Sequence, residues 1–303
     1  MSNQFADEKK GLLYATYTAL LWATLALFLK FSLVDFEPIT VVWFRFTFSF
    51  TILTIYFSLK KKENLKILRK PPFFLIVSAI ALAFNYLLFQ LGLKYTNPSI
   101  ANIIIQTGPV LLAFIGIFIY KERITLKQSL GFIAVIAGFV IFYLDQLGHS
   151  AGVYKNLKYG VFLVLLAAVA WALYAAILKK MSTKHDPQSL NLVLYLVPIL
   201  MFAPFVNFSS FLAMSIQSGF VLLFLGLNSL LAYGFIAEAF KYAPASKVSM
   251  IITLNPILTL ILMAILDKFH YNWLGQEMTT SFGYIGAFLV ILGAIFAISR
   301  GKK

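Results

Sequence analysis

Ten apolar runs, each close to 20 residues long, set the limits on what this chain can fold into. They carry almost no charge, and an apolar run of about 20 residues can cross the hydrocarbon core of a bilayer as one helix. The runs lie at 12–31, 38–59, 72–93, 99–120, 126–144, 160–178, 188–208, 215–240, 246–266 and 282–299. The sequence therefore predicts an all-α integral membrane protein with ten transmembrane helices, embedded in a lipid bilayer.

The composition favours a membrane protein over a soluble one or an enzyme. Hydrophobic residues make up 61% of the 303 residues and charged residues 12%, whereas a soluble chain is about half apolar and about a quarter charged. There is no Cys, and His149, His185 and His270 lie in predicted connectors. No span holds paired carboxylates, and no Gly-rich phosphate loop is present. We therefore expect no catalytic residue, no metal and no cofactor.

The basic residues are unevenly placed along the chain, whose formal net charge is +14 at pH 7. With the N-terminus inside, 19 of the 25 Lys and Arg residues lie in inside segments, and Arg45 alone lies within a span. Because basic residues concentrate on the cytoplasmic side, we expect both termini in the cytoplasm and the protein in the cell (inner) membrane. Topology thus explains the charge, and we expect no nucleic-acid partner.

The sequence also repeats itself. Four residues recur 149 positions later, and four more recur after 147 positions. The first set pairs Gly11, Trp22, Lys30 and Pro38 with Gly160, Trp171, Lys179 and Pro187, and the second pairs Tyr86, Lys94, Tyr95 and Pro109 with Tyr233, Lys241, Tyr242 and Pro256. Each copy holds five spans, an odd number, so the second enters the membrane from the opposite face. We predict a five-helix repeat at 1–145, an extracytoplasmic linker at 146–158 and an inverted repeat at 159–303, an arrangement typical of secondary transporters.

Matching polar stripes mark the fourth and ninth spans. Their members are spaced by three, four and three residues, which places them on one helical face. They are Ser99, Asn102, Gln106 and Pro109 in the fourth span and Ser246, Ser249, Thr253 and Pro256 in the ninth. A polar stripe on a membrane helix must face protein or water. The two stripes are expected to line a cavity or to hydrogen-bond between helices.

Each of these spans carries a proline near its middle. Pro109 and Pro256 cannot bond the carbonyls of Ile105 and Ile252, so both helices should kink there. The kinks could act as hinges or be static bends accommodated by packing.

Aromatic residues form a second group of candidates. Trp22 and Trp171 lie midway through the first and sixth spans, away from the interfacial belts where Trp usually collects. Further residues at interior depth are Asn85, Tyr86, Tyr174 and Tyr233. Together they could line a cavity that stacks on a flat or apolar solute, or they could simply pack the interior.

Two charged residues within or near the spans are also candidates. Arg45 could hold a carboxylate or phosphate of a solute, or it could reach the membrane surface or pair with Glu37. Glu238 could couple transport to protons, or it could extend toward the surface beside Lys241.

Glycine pairs occur in the fifth and tenth spans, where small residues let membrane helices approach closely. They are Gly131 with Gly138 and Gly286 with Gly293. We expect them to pack between the two repeats or across a weak dimer interface, so the protein is predicted to be a monomer or a weak homodimer. The second copy holds about eight extra residues, which we place in an outer loop at 271–280.

Three features carry a family resemblance. They are the doubled five-span unit, the Gly-rich fifth span, and the segment around Pro109 followed by Tyr120-Lys121-Glu122-Arg123-Ile124-Thr125. The chain resembles the EamA-type drug/metabolite transporters, which implies ten helices and the movement, often export, of amino acids or other metabolites. The central Trp residues and the Tyr-bearing third span are similar to those of the aromatic amino-acid exporter branch. The second half departs from the family pattern at Asp267-Lys268-Phe269-His270.

We therefore expect a secondary transporter that moves a small organic metabolite, an amino acid or similar, outward and by alternating access. The alternatives are a multidrug or nucleotide-sugar carrier and a membrane receptor that transports nothing. The expected cavity residues are Trp22, Asn85, Tyr86, Asn102, Gln106, Trp171, Tyr174, Tyr233, Ser249 and Thr253, with Arg45 as anion contact and Pro109 and Pro256 as hinges.

Overall fold

The chain folds into a bundle of helices, with no strand among the residues that the structure describes. The structure is a computed structural model and describes residues 2–122, 124–150, 156–268 and 280–298. The first repeat forms α1 (Ser2–Ser32), α2 (Pro38–Lys60), a short 3₁₀ helix (Lys62–Leu68), α3 (Phe73–Lys94), α4 (Pro98–Ile105), α5 (Thr107–Phe118) and α6 (Leu126–Ser150).

The second repeat follows the same plan. It forms α7 (Leu157–Ser182), α8 (Pro187–Phe202), a 3₁₀ turn (Ala203–Phe205), α9 (Ser209–Ala213), α10 (Ile216–Tyr242), α11 (Ala245–Ile252), α12 (Asn255–Lys268) and α13 (Ser281–Ile298).

Eight helices in the described part of the chain are long and apolar enough to cross a membrane. They are Asp7–Ser32, Pro38–Lys60, Phe73–Lys94, Ile100–Phe118, Leu126–Asp145, Leu157–Ser182, Pro187–Phe205 and Ile216–Tyr242. The ninth predicted span is divided between α11 and α12, and α13 supplies a shorter apolar helix, Ser281–Phe296. The chain is a multi-pass membrane protein, and ten crossings stay a prediction.

Prolines and a side-chain cap fix where several helices begin. Pro38, Pro98 and Pro187 lie in the first turn of α2, α4 and α8, where the missing N–H has no helical partner to lose. Asn97 caps α4 because its side-chain oxygen accepts a hydrogen bond from the N–H of Ile100 over 2.7 Å.

Both central prolines coincide with helix breaks. α4 ends at Ile105 and α11 ends at Ile252, each four residues before its proline. A proline has no N–H to donate to the carbonyl four residues earlier, so the helix is interrupted there. The breaks lie where the sequence places the kinks of Pro109 and Pro256, and the hinge role stays a prediction.

The two repeats interlock along three helix pairs. The most extensive helix contacts join α1 to α10, α3 to α7 and α6 to α13, so each pair takes one helix from each repeat. The first two pairs are related by the repeat. A Cβ on Gly11 would lie 2.7 Å from Cβ of Ala243, and a Cβ on Gly160 would lie 2.7 Å from Cγ2 of Thr96. The close approach of backbones at both places requires glycine.

The α6–α13 pair is joined by the glycines of the fifth and tenth spans. A Cβ on Gly138 would lie 2.6 Å from the carbonyl oxygen of Gly286, and a Cβ on Gly293 would lie 2.6 Å from that of Gly131. These glycines therefore pack the two repeats together within one chain. We refer to this contact as the glycine seam.

The ends of the bundle are named here for two lysines. The Lys30 end holds the last turns of α1 and α3 and the first turns of α2 and α4, and the Lys179 end holds the last turns of α7 and α10 and the first turn of α11. The predicted topology places the Lys30 end outside.

Several boundaries differ from the sequence-based expectation. α6 continues through the first residues of the predicted linker to Ser150, so His149 lies in a helix rather than in a connector. The seventh span leaves the α-helical form after Phe202, where Pro204 lies in a 3₁₀ turn. The predicted loop at 271–280 and His270 lie outside the described residues, except for Thr280.

Candidate functional site

A cavity lies where the two repeats meet, with about 580 Å³ of empty space. Nine helices, α1 to α5, α7 and α10 to α12, contribute to its wall, together with Gln106 in the break between α4 and α5. From the first repeat the lining residues are Trp22, Leu25, Ala26, Leu29, Arg45, Asn85, Tyr86, Phe89, Asn102, Ile105, Gln106 and Pro109, and from the second Trp171, Tyr233, Ile252 and Asn255. This figure includes space that is open to the surroundings.

The aromatic part of the wall is built from both repeats. The Trp22 ring contacts Trp171 at 6.0 Å between centroids, nearly edge-on at 78°, and Tyr233 at 5.5 Å. Tyr86 lies 5.3 Å from Tyr233. The indole N–H of Trp22 is buried without a hydrogen-bond partner among the described residues. The Tyr86 hydroxyl is likewise buried without a partner in the described part of the chain, so the cluster offers flat apolar faces and two buried donors.

The amide residues are partly used in contacts between the repeats. Asn85 donates to the carbonyl of Ala167 over 2.9 Å, and Asn102 donates to the hydroxyl of Thr259 over 3.0 Å. These bonds match the interhelical alternative, although both residues also line the cavity. Gln106 is 1% exposed, and its side-chain oxygen has no partner in the described part of the chain. Gln106 is therefore the amide most available to a ligand.

Arg45 points into the bundle rather than toward the membrane surface. It is 3% exposed and lines the cavity, whereas Glu37 is exposed. Its Nε donates to the hydroxyl of Ser229 over 2.8 Å, and its guanidinium carbon lies 4.2 Å from the ring centre of Tyr86. The structure therefore does not support the expected alternatives of a Glu37 pair or a surface-directed arginine.

Four of the expected site residues are buried or packed away from the cavity: Tyr174, Ser249, Thr253 and Pro256. Each is the repeat counterpart of a residue that does line it. The counterparts are Leu25, Asn102, Gln106 and Pro109, in the same order. The Ser249 hydroxyl is buried without a partner among the described residues, and Thr253 donates to the Met250 carbonyl over 2.7 Å. The cavity thus takes one member of each of these four pairs, whereas both members line it in the pairs Trp22 with Trp171 and Tyr86 with Tyr233.

The cavity is displaced toward the Lys30 end. On α1 and α3 its lining residues lie in the half of the helix nearest that end, and Arg45 lies in the first third of α2. The second repeat contributes Trp171 and Tyr233 near the middle of α7 and α10, and Ile252 and Asn255 on either side of the break between α11 and α12. The matched residues nearer the Lys179 end are therefore the ones left out.

The Lys179 end is closed by side chains of the first repeat. Glu122 caps α11, because its carboxylate accepts from the N–H groups of Ala245 at 2.8 Å and Ser246 at 3.0 Å. The hydroxyl of Tyr120 donates to the carbonyl of Ala176. Burial and the neighbouring Glu122 raise the pKa of Tyr120, so this donor stays protonated.

An ion pair adds to the closure, since Lys247 of α11 contacts Glu8 of α1 at 2.5 Å. Glu238 lies off the cavity. It accepts a hydrogen bond from Gln188 over 3.1 Å and is half-buried. The sequence left open a proton-coupling role for Glu238, and its position gives it no direct contact with a solute in the cavity.

Sequence reasoning missed the apolar part of the wall and one amide. The missed residues are Leu25, Ala26, Leu29, Phe89, Ile105, Ile252 and Asn255. A signal was present on α1, since residues 22, 25, 26 and 29 are spaced so that they share one helical face. The face of α1 that carries Trp22 could therefore have been extended along the helix.

Known proteins resemble the chain over nearly its full length. An uncharacterized transporter of Haemophilus influenzae is 31% identical over 289 residues, covering 95% of this chain and 94% of that protein. The uncharacterized inner membrane transporter YhbE of Escherichia coli K12 is 31% identical over 291 residues, covering 95% and 90%.

More distant proteins match as well. The uncharacterized transporter YdfC of Bacillus subtilis is 22% identical, covering 93% of this chain and 89% of that protein. A solved crystal structure shares the fold with a TM-score of 0.74 at 17% identity, covering 96% and 97% of the two chains. The model of the EamA-like transporter family matches residues 9–144 and 158–299. The chain is a membrane transporter that belongs to the EamA-like transporter family.

Proposed function

We propose that this protein is a secondary transporter that carries a small organic metabolite, an amino acid or a similar molecule, out of the cell. It lies in the inner membrane with both termini in the cytoplasm, so that the Lys30 end faces outward. The observation that carries the proposal is the cavity at the contact of two inverted repeats, lined by both copies. Such a site is where secondary transporters of this design bind their solutes.

The matched pairs support alternating access. In the structure the cavity is lined by Leu25, Asn102 and Gln106. If the two repeats exchanged their conformations, the counterparts Tyr174, Ser249 and Thr253 would line it instead. The cavity would then reach the Lys179 end. The helix breaks before Pro109 and Pro256 supply the points at which α4 and α11 change direction.

Transport runs down a solute gradient or by exchange. None of the described lining residues is acidic, and Glu238 accepts a hydrogen bond from Gln188 away from the cavity. Strong coupling to protons needs a titratable group that the solute or the conformational change reaches. If a pH gradient alone drives uphill accumulation in proteoliposomes, this energetic scheme is wrong.

The test is counterflow in proteoliposomes with a panel of amino acids, organic acids, organic cations and nucleotide sugars. We expect accumulation of an amino acid or related metabolite by the native protein. Trp22→Ala and Trp171→Ala should lower its apparent affinity, because each removes an aromatic face of the cavity. Trp43→Ala is the matched control, since Trp43 packs on Phe208 outside the cavity.

Each alternative gives a different result in the same assay. Accumulation of organic cations or nucleotide sugars would identify a carrier of those solutes, and binding without flux of any solute would identify a receptor. Equal affinity loss in Trp22→Ala and Trp43→Ala would show that the cavity does not bind the solute.

A further inference from the structure

The cavity wall contains a buried positive charge without a counter-ion. Arg45 lines the cavity at 3% exposure. The structure shows a salt bridge between Lys247 and Glu8. It shows no salt bridge between Arg45 and another described residue. A buried charge costs several kcal/mol unless it is paired, so an arginine in this position is a candidate for binding an anion.

The guanidinium is held in place while most of its donors remain free of protein partners. Its Nε donates to Ser229, whose hydroxyl in turn donates to the carbonyl of Leu225 over 2.8 Å. Tyr86 covers one face of the guanidinium. Arginine has five N–H donors, so the four on the two terminal nitrogens carry no hydrogen bond to a described residue. Two parallel N–H groups match the two oxygens of a carboxylate.

The rest of the wall carries no charged side chain in the described part of the chain. In particular, no described Asp or Glu lines the cavity. The helix ends give no preference, because the positive ends of α5 and α12, at Gln106 and Asn255, lie beside the negative ends of α4 and α11, at Ile105 and Ile252. The charged side chain of the described wall is Arg45, and it favours an anion over a cation.

The remaining surface suits an apolar ring. Trp22, Trp171 and Tyr233 form the aromatic cluster, and Leu25 and Phe89 extend it. The free indole N–H of Trp22 and the free amide oxygen of Gln106 can each serve one polar substituent. The second repeat has no equivalent positive charge, because the residue that corresponds to Arg45 is the buried Leu194. The cavity wall can therefore pair with one anionic group of a solute.

We infer that the solute is an organic carboxylate with an aromatic or apolar body, that its carboxylate binds Arg45, and that an amino group is not required for binding. This inference rests on the proposed function of the cavity. It narrows the solute to carboxylates, which include amino acids and the corresponding acids without the amino group, and it excludes amines.

The experiment compares four probes that share a phenyl ring: 3-phenylpropanoate, phenylalanine, 2-phenylethylamine and phenyl phosphate. Binding to the purified full-length protein in detergent is measured by calorimetry and thermal stabilisation. We expect both carboxylates to bind at least about tenfold more tightly than the amine, since hydrogen bonds to charged groups contribute about 1.5–3 kcal/mol. Equal binding of the acid and the amine would overturn the inference, and so would tighter binding of the phosphate.

Variants connect this preference to Arg45. Arg45→Met should weaken carboxylate binding by about 10- to 100-fold and leave amine binding unchanged or stronger. Arg45→Lys keeps the charge but loses the two-pronged donor and should weaken carboxylate binding by about threefold to tenfold. The control is Arg69→Met, because Arg69 is exposed in the connector between α2 and α3. If Arg45→Met does not fold, the intermediate loss in Arg45→Lys still tests the contact, and unchanged binding there would contradict it.

The outcome is separable from the proposed function. Carboxylate binding at Arg45 without flux in proteoliposomes would overturn transport and leave the binding site standing. Flux of solutes with no preference for a carboxylate would overturn the binding inference and leave transport standing.

Discussion

Lys30 and Lys179, which are 149 positions apart in the sequence, make the same contact at opposite ends of the bundle. The ammonium group of each donates to two backbone carbonyls where a neighbouring helix ends, over 2.6 to 2.8 Å. Lys30 donates to Leu93 in the last turn of α3 and to Thr96 just after it. Lys179 donates to Phe240 in the last turn of α10 and to Ala243 just after it. A cation here also complements the negative end of the helix dipole. The inverted repeat thus places one lysine clamp at each end.

Removing either clamp should destabilise the protein by a similar amount. We expect Lys30→Met and Lys179→Met each to lower stability by about 1–3 kcal/mol, because two carbonyls lose a charged donor. The measurement is the thermal unfolding midpoint in detergent. Lys94→Met and Lys180→Met are the controls, since both lysines are exposed beside the clamps. An equal loss in a control and in its neighbouring variant would contradict the prediction.

The Glu122 cap should hold the Lys179 end closed. In Glu122→Gln the cap of α11 loses its charge, and charged hydrogen bonds are about twice as strong as neutral ones. We expect backbone amides in Ala245–Ile252 to exchange hydrogen about fivefold faster, a change of about 1 kcal/mol. Mass spectrometry of that segment provides the measurement. The exposed Glu63→Gln serves as control, and identical exchange in both variants would rule out a gating role for Glu122.

Single cysteines can reveal the two states, because the chain has none of its own. Leu25→Cys should react with an impermeant maleimide added at the Lys30 end. Ser249→Cys should react only from the Lys179 end, and faster when transported solute is present. Leu212→Cys marks the Lys30 side, since Leu212 is 92% exposed in α9. Labelling of Leu25→Cys and Ser249→Cys from the same side would contradict the exchange of matched residues.

The glycine seam should not tolerate even a methyl group. Gly138→Ala would place Cβ 2.6 Å from a backbone oxygen of α13, and overpacking of this kind costs about 1–3 kcal/mol. Gly148→Ala on the same helix is the control, since a Cβ there meets no atom within 4 Å. The comparison is made on unfolding midpoints in detergent. Equal unfolding midpoints for the two variants would show that α6 and α13 can accommodate a methyl group at Gly138.

Much of the architecture could be predicted from the sequence, because bilayer thickness and the repeat leave few alternatives. The apolar runs predicted the helices, and Pro109 and Pro256 predicted the two breaks to within a turn. Trp22 and Trp171 were chosen because a Trp at mid-span is unusual, and the structure places both at the cavity. The end of α6 at Ser150 was missed because its last turns are polar.

The composition of the wall could not be read from the sequence in the same way. Asn102 and Ser249 have the same sequence pattern, and only the conformation of the inverted repeats decides which one faces the cavity. Leu25 and Ala26 look like any packed apolar residues of a membrane helix. For Arg45 the position was evident, but its partner Ser229 is 184 positions away, and only the fold brings the two together.

The glycine seam has a mechanical consequence. No residue of α6 or α13 lines the cavity, and their backbones touch where glycines meet. Helices in direct backbone contact have no side-chain layer that could deform. If the cavity changes its opening as we propose, we therefore expect α6 and α13 to stay assembled as one rigid unit while the other helices move relative to it.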